Sequence, residues 1–225
     1  MSRTDGPENE AVLVTRSTGV LPAIKVKAGA DLVSFVQAMY EGGARVIEIT
    51  TTTPGVFDAF QALRDEFKDK IFLAAGTTLD ATTARLAILA GARVIVSPAL
   101  RPEVIQTAHR YGVAMYSGAF TATEVLAAME AGADMVKIFP ATLGGPKYMT
   151  NLKMVYPGVK LCPSGGISLE NAADFIRCGA DAISGNRNFF DLGMIEKHGL
   201  RWISEQVAKY IALVAEARRD LPELP

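Results

Sequence analysis

The chain has 225 residues, 49% of them hydrophobic, and its 23 basic and 24 acidic residues leave a formal net charge of −1. That length buries a sizeable core and fits one large domain or two small ones. No basic block or tail stands out and no apolar run approaches ~20 residues, which argues against nucleic acid, an anionic membrane surface and a membrane span.

The opening "MSRTDGPENE" is polar and mixed in charge, unlike a signal peptide, and residues 1–18 read as a polar extension. Strand-like and helix-like stretches then alternate. "GVLPAIKV" (19–26) is the first strand, a helical pattern covers 30–41, and "EGGARVIEIT" (41–50) carries the second strand. A helix over 55–68, the strand "IFLAAGTT" (71–78) and a helix over 80–89 follow, then "LAGARVIVSP" (89–98) and a helix over 101–110. "GVAMYSGA" (112–119), a helix over 121–130 and "EAGADMVKIF" (130–139) come next. A helix over 145–155, "GVKLCPSGG" (158–166), a helix over 168–177, "RCGADAISGN" (177–186) and a helix over 200–218 complete the chain. Asp31, Asp80, Thr121 and Ser168 precede apolar periodicity and suit helix N-caps.

Four of these segments share a shape: a glycine closes a helix, then come Ala, a charged residue and a short apolar run. The glycine suits a left-handed helix end, and the apolar run suits a strand buried on both faces. Gly43, Gly91, Gly132 and Gly179 lie more than forty residues apart, so each interval holds a second strand. Eight strands, each followed by a helix, in a chain of this length predict a single-domain (β/α)8 barrel. A doubly wound open sheet shows the same alternation and is the competing architecture.

In such a barrel functional residues gather at the carboxyl ends of the strands. Only Lys25, Glu48 and Lys137 bring unit charges to those positions. Lys137 interrupts the apolar run "DMVKIFPATLGGP". It is either a snorkelling lysine at a strand end or an amine that desolvation turns into a nucleophile. Glu48 stands five residues after Gly43, as Lys137 stands five residues after Gly132. The repeat therefore presents an acid and an amine at one height, as a structural ion pair or as an imine-forming amine with a proton carrier.

The glycines of "CPSGGIS" and the turn "SGNRN" follow strands seven and eight. They suit two tight turns or the phosphate-binding loops of barrel enzymes. Thr52 and Thr77 could hydrogen-bond a carboxylate or serve the strand ends, and Pro98 and Phe139 could exclude water or simply pack. Cys162, Cys178, His109 and His198 are scattered, without CxxC or ligand spacing. A Cys/His metal site is not expected, an all-carboxylate magnesium site stays open, and the free cysteines suit a reducing cytosol.

"VIEIT", "AAGTT", "VSPAL", "VKIFPA" and "CPSGGIS", in this order, resemble the 2-keto-3-deoxy-6-phosphogluconate (KDPG) and 4-hydroxy-2-oxoglutarate (KHG) aldolase family, over residues from about 20 to 215. The resemblance implies a class I aldolase with no cofactor or metal, built as a (β/α)8 barrel and assembled as a homotrimer. It implies that Lys137 is the Schiff-base lysine, Glu48 the general acid/base and Thr77 the holder of the pyruvyl carboxylate. Pro98 and Phe139 would line the site, while Gly165, Gly166 and the turn at Gly185 would take a substrate phosphate. Three positions depart from the family pattern: Lys25 and Thr52 stand where arginines are common, and Asn186 where serine is usual. The expected reaction is reversible cleavage of a 2-keto-3-deoxy-6-phospho sugar acid to pyruvate and glyceraldehyde 3-phosphate. A shorter 4-hydroxy-2-oxoglutarate substrate, a non-covalent phosphosugar epimerase or synthase, and a non-catalytic barrel are the alternatives.

Overall fold

A computed structural model describes residues 8–27 and 30–220. Its strands are β1 (Val20–Ile24), β2 (Val46–Thr50), β3 (Phe72–Gly76), β4 (Val94–Val96), β5 (Ala114–Ala119), β6 (Met135–Ile138), β7 (Leu161–Pro163) and β8 (Ile183–Gly185). All pair in parallel in the order β7-β6-β5-β4-β3-β2-β1-β8. A bridge between Ser164 and Ser184, with the Asp181 N–H donating to the Leu161 carbonyl at 2.8 Å, joins β7 to β8 and closes the ring. The architecture is the (β/α)8 barrel, and the open sheet is excluded by that closure.

The helices are α1 (Glu10–Thr18), α2 (Leu32–Glu41), α3 (Val56–Phe67), α4 (Ala81–Ala90), α5 (Pro102–Arg110) and α6 (Ala122–Glu130). They continue as α7 (Ala141–Gly144), α8 (Pro146–Val155), α9 (Ala172–Arg177), α10 (Leu192–His198) and α11 (Arg201–Arg219). Asp31, Asp80 and Thr121 cap α2, α4 and α6 by accepting from a backbone N–H of the first turn, as their sequence positions predict. Thr121 completes a capping box with Glu124. Ser168 does not cap. α9 begins four residues later, and the Ser168 hydroxyl turns to Glu170 while its N–H donates to Asn171 Oδ1.

Residues 10–18 differ from the expected extension. They form α1, capped by Asn9, with Ala11, Val12 and Thr15 buried. The apolar content is spread over one face of a nine-residue helix among Glu10, Arg16, Ser17 and Thr18, which makes it look polar when read linearly. Residues 1–7 of that extension lie outside the described residues. α1 closes the amino-terminal end of the barrel: Ala11 and Val12 join the interior cluster of Leu21, Val46, Phe72 and Met135. Thr15 Oγ1 lies 2.7 Å from the buried Tyr116 hydroxyl and itself donates to the Ala11 carbonyl.

Alternate strand residues face the helices, where Ile47, Ile49, Ile95, Val136 and Ile183 belong to the larger outer core. The intervening residues fill the interior. At the amino-terminal end these are hydrocarbon; towards the carboxyl end they become Glu48, Lys137 and serines. Among the described residues no helix is long and apolar enough to cross a membrane.

Candidate active site

Glu48 on β2 and Lys137 on β6 project into the barrel from opposite walls. Lys137 Nζ lies 3.4 Å from Glu48 Oε2 and 3.5 Å from Oε1. Glu48 is 2% exposed and Lys137 8%. In so dry a place each charge depends on the other, because removing one partner leaves an uncompensated buried ion. The contact is long for a charge-assisted hydrogen bond, so the amine is held near the acid without being locked to it.

Neighbouring strand ends make room for this pair. Gly76 ends β3 beside Glu48, and a Cβ there would stand 2.0 Å from Glu48 Oε1. Gly118 is the β5 ladder partner of Lys137. A Cβ on it would meet the Pro98 carbonyl carbon at 2.0 Å, so the loop after β4 lies directly over the end of β5. On the other side Lys137 pairs with Cys162 of β7. Burial pushes the Cys162 thiol up to about 12, an effect the Lys137 charge opposes, so it stays a protonated, inert wall.

After β7, Gly165 (φ 87°) and Gly166 (φ 75°) are in the left-handed region. A Cβ on Gly166 would strike Thr142 Cγ2 at 1.8 Å, and one on Gly165 would stand 3.2 Å from the Phe139 ring. Among the described residues the backbone N–H groups of Gly165, Gly166 and Ile167 have no hydrogen-bond acceptor. Consecutive free N–H groups of this kind form a concave anion site. Among the described residues no three His, Cys, Asp or Glu side chains cluster as a metal would need.

A family model described as "Aldolase: KDPG and KHG aldolase" matches residues 12–206. The chain belongs to this family. It is 37% identical to the 2-dehydro-3-deoxy-phosphogluconate aldolase of Treponema pallidum over 70% of this chain and 75% of that one. It is 30% identical to the 2-dehydro-3-deoxy-6-phosphogalactonate aldolase of Escherichia coli over 88% of this chain and 96% of that one. A structure of KDPG aldolase from Legionella pneumophila, with pyruvate captured at low pH as a covalent carbinolamine intermediate, superposes with a TM-score of 0.79 at 26% identity, covering 88% of this chain and 97% of that chain.

As a member of the KDPG and KHG aldolase family the chain is a lyase. Its carboxyl-terminal rim also carries the other residues singled out above. Thr77, after β3, is partly buried and holds a positive φ of 58°, a conformation non-glycine residues adopt at a cost. Its hydroxyl has no partner among the described residues, whereas its carbonyl accepts from Thr51 at 3.0 Å. Thr52 is exposed and donates to Thr50 Oγ1 at 3.1 Å. Lys25, just beyond β1, is exposed and makes no ion pair among the described residues.

Phe139 rests on Gly165 with 43% of its surface open, so it stands on the rim rather than over the barrel core. Asn186 Nδ2 donates to the Ala23 carbonyl at 2.8 Å, tying the turn after β8 to the end of β1. A Cβ on Gly185 would lie 2.1 Å from Asn188 Oδ1, so a larger residue there would have to displace the Asn188 amide. The structure thus brings Glu48 and Lys137 together and, separately, packs Phe139 against Gly165 and Thr142 against Gly166. Lys25, Thr52 and Pro98 stay on the rim without a hydrogen bond to the pair. Thr142, pressed on Gly166, escaped the sequence reading. Only its position just after "KIFPA" could have pointed to it.

Proposed function

We propose that the chain is a class I aldolase that reversibly cleaves a 2-keto-3-deoxy-6-phospho sugar acid to pyruvate and an aldehyde such as glyceraldehyde 3-phosphate. The single observation carrying this reading is the buried amine of Lys137 at 3.4 Å from the Glu48 carboxylate. Lys137 attacks the C2 ketone, and loss of water gives a protonated imine. Glu48 takes the proton of the C4 hydroxyl while the C3–C4 bond breaks. Those bonding electrons flow into the iminium nitrogen, the aldehyde departs, and an enamine of pyruvate stays on Lys137. Proton return to C3 and hydrolysis release pyruvate. Every stage needs a proton carrier beside the amine, which is the place Glu48 occupies.

The free N–H groups at Gly165, Gly166 and Ile167 support an anionic group at the distal end of the substrate. Thr77, whose hydroxyl has no partner among the described residues, suits the pyruvyl carboxylate. Lys25 keeps a second reading, 4-hydroxy-2-oxoglutarate, in play, because its rim ammonium, without an ion pair among the described residues, matches a terminal carboxylate as well as a phosphate. We also propose a homotrimer in the cytoplasm. Leu143, Met154 and Val155 on α7 and α8, all well exposed, offer apolar surface for a partner copy, and sedimentation velocity measures the assembly.

Incubation with pyruvate, reduction with borohydride and weighing of the protein test the imine. A pyruvyl adduct on Lys137, absent in Lys137→Ala, is expected; cleavage activity without an adduct removes the covalent mechanism. Comparing cleavage of substrates with and without a 6-phosphate decides between the two readings.

A further inference from the structure

The ladder registers assign Glu48 and Lys137 two companions. Glu48 of β2 pairs with Ala23 of β1 and with Ala74 of β3. Lys137 of β6 pairs with Gly118 of β5 and Cys162 of β7. Ser184 of β8 repeats the relation, pairing with Ser164 of β7 and Leu21 of β1. Strands in a barrel of this type are tilted, so each inward layer takes four side chains from alternate strands. The even strands therefore contribute Glu48, Val96, Lys137 and Ser184 to one layer, in that order around the ring. Ser184 lies between the amine and the acid on the side opposite Val96.

Ser184 is fully buried, and its Oγ has no hydrogen-bond partner among the described residues. Neither Lys137 nor Glu48 bonds it; they bond each other. A buried hydroxyl left unpaired is costly, and alanine would fill the same space without that cost. Ser117 is also unpartnered, but strand alternation turns it outward, because Tyr116 and Gly118 on either side of it face the interior. Ser184 alone of the two points into the reacting layer.

We propose that Ser184 is a further catalytic residue, whose hydroxyl holds the C2 oxygen as the carbinolamine loses it. The proposal deepens the aldolase reading and rests on it. When Lys137 has added to the ketone, the former carbonyl oxygen is a hydroxyl on C2. The nitrogen lone pair forms the C=N bond, the C–O bond breaks, and the oxygen leaves as water after receiving a proton carried by Glu48. In sum, amine, ketone and one proton give iminium and water. A serine hydroxyl both donates and accepts, so it steadies that oxygen without changing its own protonation. In the reverse direction it places the water that hydrolyses the pyruvyl imine. Val96, across the layer, offers no such bond and leaves one side for the departing oxygen.

The test is Ser184→Ala, mixed with pyruvate, quenched with borohydride at successive times and weighed. The expected result is an approach to the pyruvyl–Lys137 adduct at least ~10-fold slower than in the unaltered enzyme, with pyruvate half-saturation unchanged and the melting temperature no lower, since the unpaired hydroxyl is removed. Loss of label from pyruvate carrying ¹⁸O at C2 should slow by the same factor. Adduct formation at the unaltered rate overturns the proposal. So does slowing matched by a proportional rise in the pyruvate needed for half-saturation, the mark of a distorted pocket. If the unaltered enzyme forms no adduct at all, the aldolase reading falls and this proposal with it; an adduct in both proteins at equal rates removes the serine's role alone.

Discussion

Gly76 and the carboxylate of Glu48 occupy adjoining space with nothing to spare: a methyl on residue 76 would lie 2.0 Å from Glu48 Oε1. The backbone at Gly76 is not in the left-handed region, so the requirement is one of room rather than of φ. Gly76→Ala therefore has to swing the carboxylate away from Lys137. We expect a fall in kcat of about 10²-fold or more, the usual worth of a positioned proton carrier, while borohydride still traps some pyruvate on the lysine. Steady-state cleavage measured beside the trapping assay checks it, and normal turnover in Gly76→Ala would show that the acid has no fixed station.

Breaking the buried pair from either end should be costly, and removing it whole should not. Lys137→Met leaves the Glu48 carboxylate alone in a site 2% exposed. We expect it to lose about 3 kcal/mol of stability. The double variant Lys137→Met with Glu48→Leu should recover most of that loss, since a matched apolar pair satisfies the same cavity. Urea unfolding of the two singles and the double gives the coupling directly. Additive losses would mean that the two charges stabilise nothing jointly.

Cys162 and Cys178 should part company in thiol chemistry. Desolvation pushes the buried Cys162 thiol from the usual 9.0 up to about 12, so at pH 8 it carries almost no thiolate. Cys178 is only half-buried. Native protein with excess iodoacetamide at pH 8 should gain one label, and unfolded protein two. The raised value also sets a sign. The unfolded thiol ionises above about 9 while the folded one holds its proton, so this contribution to stability is intact below pH 9 and lost as pH climbs towards 12. Cys162→Ala should flatten that alkaline slope.

Acid acts on a different set. Glu124 accepts from the backbone N–H groups of Thr121 and Phe120, which lower its carboxyl below the ordinary 4.5, and Asp80 is lowered below 3.8 by Thr83 in the same way. A depressed carboxyl stabilises the fold above its ordinary value and ceases to do so as pH falls through the depressed one. As pH falls below about 4.5 the melting temperature of the unaltered protein should therefore fall more steeply than that of Glu124→Gln with Asp80→Asn. Parallel curves would remove these caps from the account of acid sensitivity.

Much of this was visible in the linear chain because the barrel repeats. A glycine-closed helix followed by a buried strand occurs four times, and counting from that glycine aligns Glu48 with Lys137 in the sequence alone. Three features stayed hidden for separate reasons. α1 carries its buried Ala11, Val12 and Thr15 among polar neighbours, and a helix that plugs the end of a barrel needs only a narrow apolar face. Ser168 looked like a cap because of its residue type, yet Asn171 satisfies its N–H and postpones the helix to Ala172. The direction of Asn186 follows from the distance between β8 and the Ala23 carbonyl, a relation between chain segments 163 residues apart that local pattern does not carry.

The plug formed by α1, together with the hydrocarbon layers around Leu21, Val46 and Phe72, makes the interior a cul-de-sac. Everything that reaches the amine must come and go by one doorway. In the mechanism proposed above, the aldehyde half of the cleaved substrate would lie on the doorway side, and the pyruvyl half would stay tethered to the deeper nitrogen until water frees it. Turnover should consequently follow a strict queue, aldehyde out first and pyruvate second. Product inhibition would record it as competition with substrate by pyruvate and as a mixed pattern by the aldehyde.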